Sequence, residues 1–369
     1  MRWKITVVLL VVAMLFAACG KDEGTTTTAA VSTTEGATTT ATAATTTTAA
    51  PTTTAAALTD VILLIPNPSA VIWYNACAAI GQGFFEEEGL SVRTEALDGS
   101  GAVLQAIAAG QAQFGAPGPG PMLSALERGE GFVGIYNHFA QSLFGVVVPE
   151  DSEYQLPADL AGTVIGVGTA EGTEVGFARS ILTEAGLTEG TDYEFLPVGD
   201  GGQATAAFER GDIVAYAAGL PDMAVIEARG LPLRDLTPDN FKSYFGNMYA
   251  TAAATVADNP ELVQAFINGL VKGTVFGQDP ANRAAVLADC NELNPEEGSE
   301  ADLAGAILDL ALERTVPLGG ANPGMFDMAG WELWQTSLLE SASLAAAQDL
   351  TKIFTNEFVE AAYAAGLGG

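Results

Sequence analysis

His138 is the chain's one histidine, and that removes most hydrolytic and acid–base chemistry from consideration. A Ser-His or Cys-His pair needs a histidine beside its nucleophile, and a His-rich metal site needs several. No Gly-x-Ser-x-Gly elbow and no paired Cys/His spacing occurs. After Leu58, lysine stands only at Lys242, Lys272 and Lys352. Residues suited to binding are better represented. Trp73-Tyr74-Asn75 set two aromatic rings beside an amide, which suits one wall of a small-molecule site and equally suits the core of an ordinary helix. His138 itself reads either as a buried, satisfied imidazole or as a ligand contact where the chain crosses between two halves. Gly166-Val167-Gly168-Thr169-Ala170-Glu171-Gly172 follows a strand-like run and opens a helix. It imitates a dinucleotide fingerprint, but its last interval is one residue too long and no acid stands at the ribose distance. What remains is a helix start with Thr173 as N-cap, whose free N–H groups can hold a polar or anionic group.

These residues need elements to hold them, and the chain supplies an alternation of strands and helices. The apolar run 61–65 suits a strand covered on both faces, and it is followed by a Pro-Asn-Pro loop and an apolar helix carrying Trp73. Loops beyond the carboxyl ends of strands are where ligands sit in open α/β sheets. Strands at 91–96, 113–116 and 133–136 continue a first series, with helices at 102–109 and from Pro121 to just before Gly129. A second series places strands at 144–148, 163–167, 194–198 and 213–218, with a helix at 174–185 and turns rich in Gly and Pro. A strand at 248–256 leads into a mostly helical remainder. There Leu262, Val263, Phe266, Ile267 and Leu270 share one helix face, and Trp331, Trp334 and Leu338 read as core. The alternation argues for mostly parallel sheets with helices on both faces.

Charge narrows the partners. Forty-five acids face 14 Lys and Arg, giving −31 over 369 residues. Nucleic acid and anionic lipid surfaces are disfavoured by that balance. Arg2 and Lys4, the apolar stretch 5–17 and the small residues before Cys19 read as a signal peptide over 1–18. The pattern resembles a bacterial lipobox, with Cys19 as the lipidated first residue and Phe16 where leucine is usual. Residues 19–57, nearly all Thr and Ala after Gly24, cannot bury a core and read as a disordered tether. Its reach as a flexible coil is roughly 30–35 Å. Cys77 and Cys290 lie far apart in sequence and are expected to be buried free thiols.

Five segments then carry a resemblance: "AAIGQGFFEEEGLSV", "AVLQAIAAGQAQFGAP", "LPADLAGTVIGVGTAEGT", "PVGDGGQATAAFERGDIVAY" and "YATAAATVADNPELVQAFINGLVKG". With "FDMAGWELWQTSLLE" they run in order through nearly all of the chain after Leu58. The sequence resembles the solute-binding lipoproteins of ABC importers, in the family of nitrate, sulfonate and taurine binders and of thiamine-precursor and riboflavin binders. The resemblance implies a type II periplasmic-binding-protein fold: two Rossmann-like α/β lobes joined by two hinge strands, with a ligand cleft between them. Lobe 1 would comprise 58–140 plus 247–369, and lobe 2 would comprise 141–246. Ligand contacts would come from Trp73, Tyr74 and Asn75; Pro117 and Gly118; Asn137 and His138; Glu171, Gly172 and Thr173; Asp222; and Asn247 and Tyr249. It further implies no cofactor, a monomer, a permease and an ATPase as partners, and a lipid anchor at the outer face of the bacterial cytoplasmic membrane.

The implied contact positions include no Lys or Arg, while Glu171 and Asp222 would repel an anion. Trp and Tyr suit a flat ring. The expected solute is therefore a neutral or cationic heterocycle, such as a pyrimidine or flavin-type vitamin precursor. The alternatives are a nitrate, sulfonate or taurine binder, a pyrimidine-synthesis enzyme of the same architecture, and a lipid-anchored sensor. Export, one histidine and no lysine between Leu58 and Lys242 count against the enzyme.

Overall fold

The computed structural model describes residues 57–369. The signal peptide expected over 1–18, the expected lipidation site Cys19 and all but the last residue of the tether expected over 19–57 lie outside the described residues. The first strand, β1 (Thr59–Ile65), shows why its apolar run needed cover on both sides. Val61, Leu63 and Ile65 enter one core cluster and Leu64 the opposite one, as the two-residue period of a strand dictates. β1 pairs in parallel with β2 (Leu90–Ala96) and β3 (Phe114–Gly115). With β4 (Phe132–Tyr136) and a returning strand from later in the chain they form a five-stranded sheet.

A second five-stranded sheet follows. β5 (Phe144–Pro149) is antiparallel to β8 (Ala215–Gly219) and to the edge strand β9 (Leu233–Asp235). β6 (Thr163–Val167) is parallel to β7 (Tyr193–Pro197) and β8. β10 (Tyr249–Ala252) then rejoins the first sheet, antiparallel to β3 and β4. The orders are β2-β1-β3-β10-β4 and β7-β6-β8-β5-β9. Each sheet thus holds four strands of one direction plus one antiparallel strand, which is the strand that has just crossed over from the other lobe.

The two crossovers pair with each other. Phe139 N donates to Asn247 O at 3.1 Å, and Gly246 N donates to Phe139 O at 2.8 Å. A side chain at Gly246 would collide with Leu143 and Phe139, so glycine is needed for the two segments to lie this close.

Several expectations require correction. The strand expected at 248–256 stops at Ala252, and Ala253–Asp258 is helical. Strand β9 was not foreseen; only three residues long, it carries too little periodicity to read. The helix expected from Pro121 begins at Pro119. Thr173 does not cap its helix: Gly172 is the N-cap, and the Thr173 hydroxyl faces Ser100. The helical faces stand as read. Val263, Phe266, Ile267 and Leu270 are fully buried on the helix Pro260–Gln278, where Phe266 stacks on Phe114 at 4.0 Å. Trp331, Trp334 and Leu338 are core residues as well.

Cys77 and Cys290 form a disulfide, with Cα atoms 5.0 Å apart across 213 residues of sequence. The expectation of free thiols failed because sequence distance carries no information about how the helix Arg283–Leu293 packs on the helix Tyr74–Gly81. Replacing both cysteines with serine is expected to cost about 2–4 kcal/mol, since the bridge closes a long loop in the unfolded chain. The urea midpoint of the double variant checks this. An unchanged midpoint would show that the bridge does not constrain the unfolded chain.

Candidate functional site

The loops at the carboxyl ends of β1, β2, β6, β7 and β8 converge on one cavity of about 530 Å³ between the two sheets. That volume suits a small organic molecule. The side of the first lobe contributes Ser69, Ile72, Trp73 and Ser100, and the crossovers contribute Phe139 and Asn247. The opposite side contributes Thr169, Gly172, Thr173, Glu174, Asp200 and Asp222. The segment 293–307 adds Glu296, Glu297 and Glu300.

Of the residues named from sequence, Trp73, Gly172, Thr173, Asp222 and Asn247 line this cavity. Tyr74, Asn75, Pro117, Gly118, Asn137, His138, Glu171 and Tyr249 lie elsewhere. Most of the second group forms the scaffold behind the wall. Tyr249 Oη donates to Asn75 Oδ1 at 2.7 Å, and Asn75 Nδ2 donates to Thr274 Oγ1 at 3.1 Å. Tyr74 Oη lies 2.9 Å from Thr315 Oγ1. Burial raises the Tyr74 phenol to about 12, so it stays neutral. His138 lies 2.8 Å from the Ile72 carbonyl through Nε2, which therefore carries the proton. Desolvation lowers its imidazole to about 4, against the pull of that carbonyl. Neutral His138 stacks on Trp73 at 5.1 Å, while Phe139 and Tyr249 pack against the same indole. Trp73 is consequently only 2% exposed, and its Nε1–H is buried without a partner. It meets the cavity from inside the core and does not stand out as a free stacking face. Asn137 donates from Nδ2 to the Met325 carbonyl at 3.3 Å, and its Oδ1 is buried without a partner.

Close approach of the two lobes is visible at Gly118. Its N–H donates to Ser100 Oγ at 3.1 Å, and Ser100 Oγ lies 3.1 Å from Thr173 Oγ1 of the second lobe. A Cβ at Gly118 would overlap the Thr173 hydroxyl. Glu171 is exposed and lies against Gly101 at the same junction.

The strongest feature is one that sequence reading missed, apart from Asp222. Glu174, Asp200 and Asp222 gather on the second-lobe side without a cation among them. The Glu174 carboxyl rises from 4.5 to about 7, chiefly through desolvation, with repulsion from Asp222 and Asp200. Asp222 rises from 3.8 to about 6 through desolvation and then Asp200. Desolvation and Asp98 raise Asp200. Backbone N–H groups hold the two inner ones: Gly201 and Gly219 donate to Asp222 at 2.9 and 3.3 Å, and Thr169 donates to Glu174 at 3.4 Å. Arg229 lines the cavity but is exposed and makes no ion pair among the described residues. Glu297 plays a structural part, accepting from Ser69 Oγ and from the N–H groups of Ala70 and Val71 at 2.7 and 3.0 Å. The signal in the sequence was the placement of Asp200 in the turn after β7 and of Glu174 in the first turn of the helix after β6; it was hidden among 45 acids.

Residues 26–282 match the family described as NMT1/THI5 like. The chain belongs to that family. Among curated proteins none matches. A Bordetella bronchiseptica RB50 protein of solved structure is similar, with a TM-score of 0.70 at 23% identity, over 83% of this chain and 98% of that one. The periplasmic nitrate-binding protein NrtA from Synechocystis PCC 6803 gives a TM-score of 0.65 at 14% identity, over 84% and 89%. The alkanesulfonate-binding protein SsuA from Xanthomonas axonopodis pv. citri, bound to MOPS, gives 0.63 at 16%, over 82% and 100%. The NMT1/THI5-like chain thus has the two-lobed fold of periplasmic binding proteins, with a ligand cleft between its α/β lobes.

Two outcomes are expected. A raised carboxyl favours the protonated folded state, so its contribution to stability is present below the unfolded value and is lost as pH rises through the folded one. For Glu174 and Asp222 that window runs from about 4 up to about 7. Thermal denaturation of the ligand-free protein should show Glu174→Gln gaining a few degrees over the parent above about pH 7 and converging with it near about pH 4. A constant difference across that range would refute the burial argument. Separately, Gly118→Ala should cost about 1–3 kcal/mol through overpacking at the lobe junction. Urea unfolding measures it, and an unchanged midpoint would mean that the lobes part freely there.

Proposed function

We propose that this protein is the extracytoplasmic solute-binding component of an ABC importer and captures a small neutral or cationic nitrogen heterocycle by lobe closure. The carrying observation is the cavity's charge. Nitrate and sulfonate need neutralising cations or converging N–H groups. NrtA is named as a nitrate binder and SsuA as an alkanesulfonate binder holding MOPS. This cavity instead gathers carboxylates, and several of its free backbone N–H groups are already spent on them. The family membership supports the importer reading, and so does the disulfide, which belongs to an oxidising compartment.

In this reading lobe 1 is 58–140 plus 247–369 and lobe 2 is 141–246. Lobe closure about the paired crossovers biases an open–closed equilibrium, and the closed form docks on a permease with its ATPase. Trp73, Gly172, Thr173, Asp222 and Asn247 meet the solute, while Tyr74, Asn75, His138 and Tyr249 brace that wall. A monomer tethered through lipidated Cys19 at the outer face of the membrane completes the assignment.

A thermal-shift panel of thiamine precursors, riboflavin, nitrate, taurine and alkanesulfonates tests the ligand class. A true ligand at one hundred times its dissociation constant adds about 2.7 kcal/mol of stability. Ring compounds should shift the midpoint. Shifts with taurine or nitrate and none with any ring would sink the heterocycle reading.

A further inference from the structure

The loop between β1 and the first helix turns three donors toward one carboxylate. Glu297 accepts from Ser69 Oγ on one oxygen, and its other oxygen accepts from Ala70 N at 2.7 Å and Val71 N at 3.0 Å. Ser69, Ala70 and Glu297 all line the cavity, and Glu297 is half-buried. A hydroxyl and two consecutive amides, shared over both oxygens of a carboxylate, form the kind of cradle that holds a free oxyanion. Here the oxyanion is a side chain of the protein itself.

Ordinary helix capping does not account for this contact. A cap residue stands at the head of its own helix, whereas Glu297 arrives 227 residues after Ala70. Other contacts hold it there. Asn294 Nδ2 donates to the Pro68 carbonyl at 2.8 Å, and Glu297 N donates to Asn294 Oδ1 at 3.2 Å. The preceding helix Arg283–Leu293 is tied by Cys77–Cys290 to the helix Tyr74–Gly81, which follows the same loop. A bridged and hydrogen-bonded strap thus delivers the carboxylate to the cradle. A neutral acceptor such as a glutamine amide would also hold the loop. A carboxylate adds a negative charge to the cavity wall.

We propose that Glu297 is a specificity-determining residue that acts as a tethered anion. It fills an oxyanion cradle on the first-lobe wall, so an anionic solute finds the donors taken and a like charge beside them. Building repulsion against the wrong ligand is a general route to specificity. The inference rests on the solute-binding reading for the use of the cavity, and deepens it by naming a residue that turns anions away. The cradle itself is testable with no solute present.

Glu297→Ala opens the three donors to the cavity, and acetate replaces the carboxylate that was cut away. The purified protein is melted in acetate, in chloride at equal ionic strength, and in acetamide, which keeps the shape and lacks the charge. Glu297→Ala should melt a few degrees below the parent in chloride and regain most of that loss at about 100 mM acetate. The parent and Glu297→Gln, whose cradles stay filled, should melt in acetate within about a degree of their chloride values. Acetamide should stabilise none of them. Calorimetric titration should detect acetate on Glu297→Ala and none on the parent. Adding Ser69→Ala to Glu297→Ala removes one donor and should weaken acetate about tenfold. Glu297→Ser repeats each measurement should Glu297→Ala not fold. No gain from acetate in these variants, or an equal gain in the parent, overturns the tethered anion and leaves the solute class standing. A parent that itself binds nitrate or methanesulfonate overturns the exclusion and the solute class together.

Discussion

The pairing of the two crossovers at Phe139, Gly246 and Asn247 is the constraint on which the rest depends. It brings the chain back to the first sheet beside the point where it left, so β10 must run antiparallel between β3 and β4. The carboxyl ends of the parallel strands in both sheets then face one another, and the loops that follow them share a cavity. Asn247 extends the same junction: its Nδ2 donates to the Ala116 carbonyl at 2.9 Å, and Met248 N donates to Pro117 O. The hinge is therefore hydrogen-bonded to the loop after β3 as well as to itself. Two short segments that hold each other can act as one hinge, which independent linkers could not do.

Behind the cavity wall, a group of buried side chains of the first lobe hydrogen-bonds among itself. Asn75, Tyr249, Thr274 and Tyr136 satisfy one another, Tyr74 meets Thr315, and neutral His138 meets the Ile72 carbonyl. Such a network specifies one arrangement of the rings, because each alternative leaves a buried group unpaired. The second lobe presents the opposite case at Glu174 and Asp222, where like charges face each other without relief. Structures tolerate that cost at functional sites and compensate elsewhere. In the first lobe, the disulfide ties the helix Tyr74–Gly81 to the helix Arg283–Leu293, and Glu297 straps Ser69, Ala70 and Val71.

Much of the architecture was legible because it rests on periodicity. The run 61–65, the face from Val263 to Leu270 and the Trp331, Trp334 and Leu338 stripe all follow from local spacing. The candidate site was legible by position and less so by role. Trp73 was located at the end of β1, but local sequence could not show that His138, Phe139 and Tyr249 close around its ring. Thr173 looked like a cap because threonine before a glutamate at a helix start favours one; the nearby Ser100 hydroxyl, 73 residues earlier, drew it elsewhere.

By itself the sequence determined the alternating α/β series, the poverty of catalytic groups and the acidity, since each depends on residue type and short spacing. Only the tertiary structure decided three things: that Cys77 meets Cys290, that Tyr74 and Asn75 turn inward, and that Glu174, Asp200 and Asp222 meet without a cation. Each joins residues from different elements. The energy of such an encounter depends on distance through space and on exclusion of water, and neither is written in the order of residues along the chain.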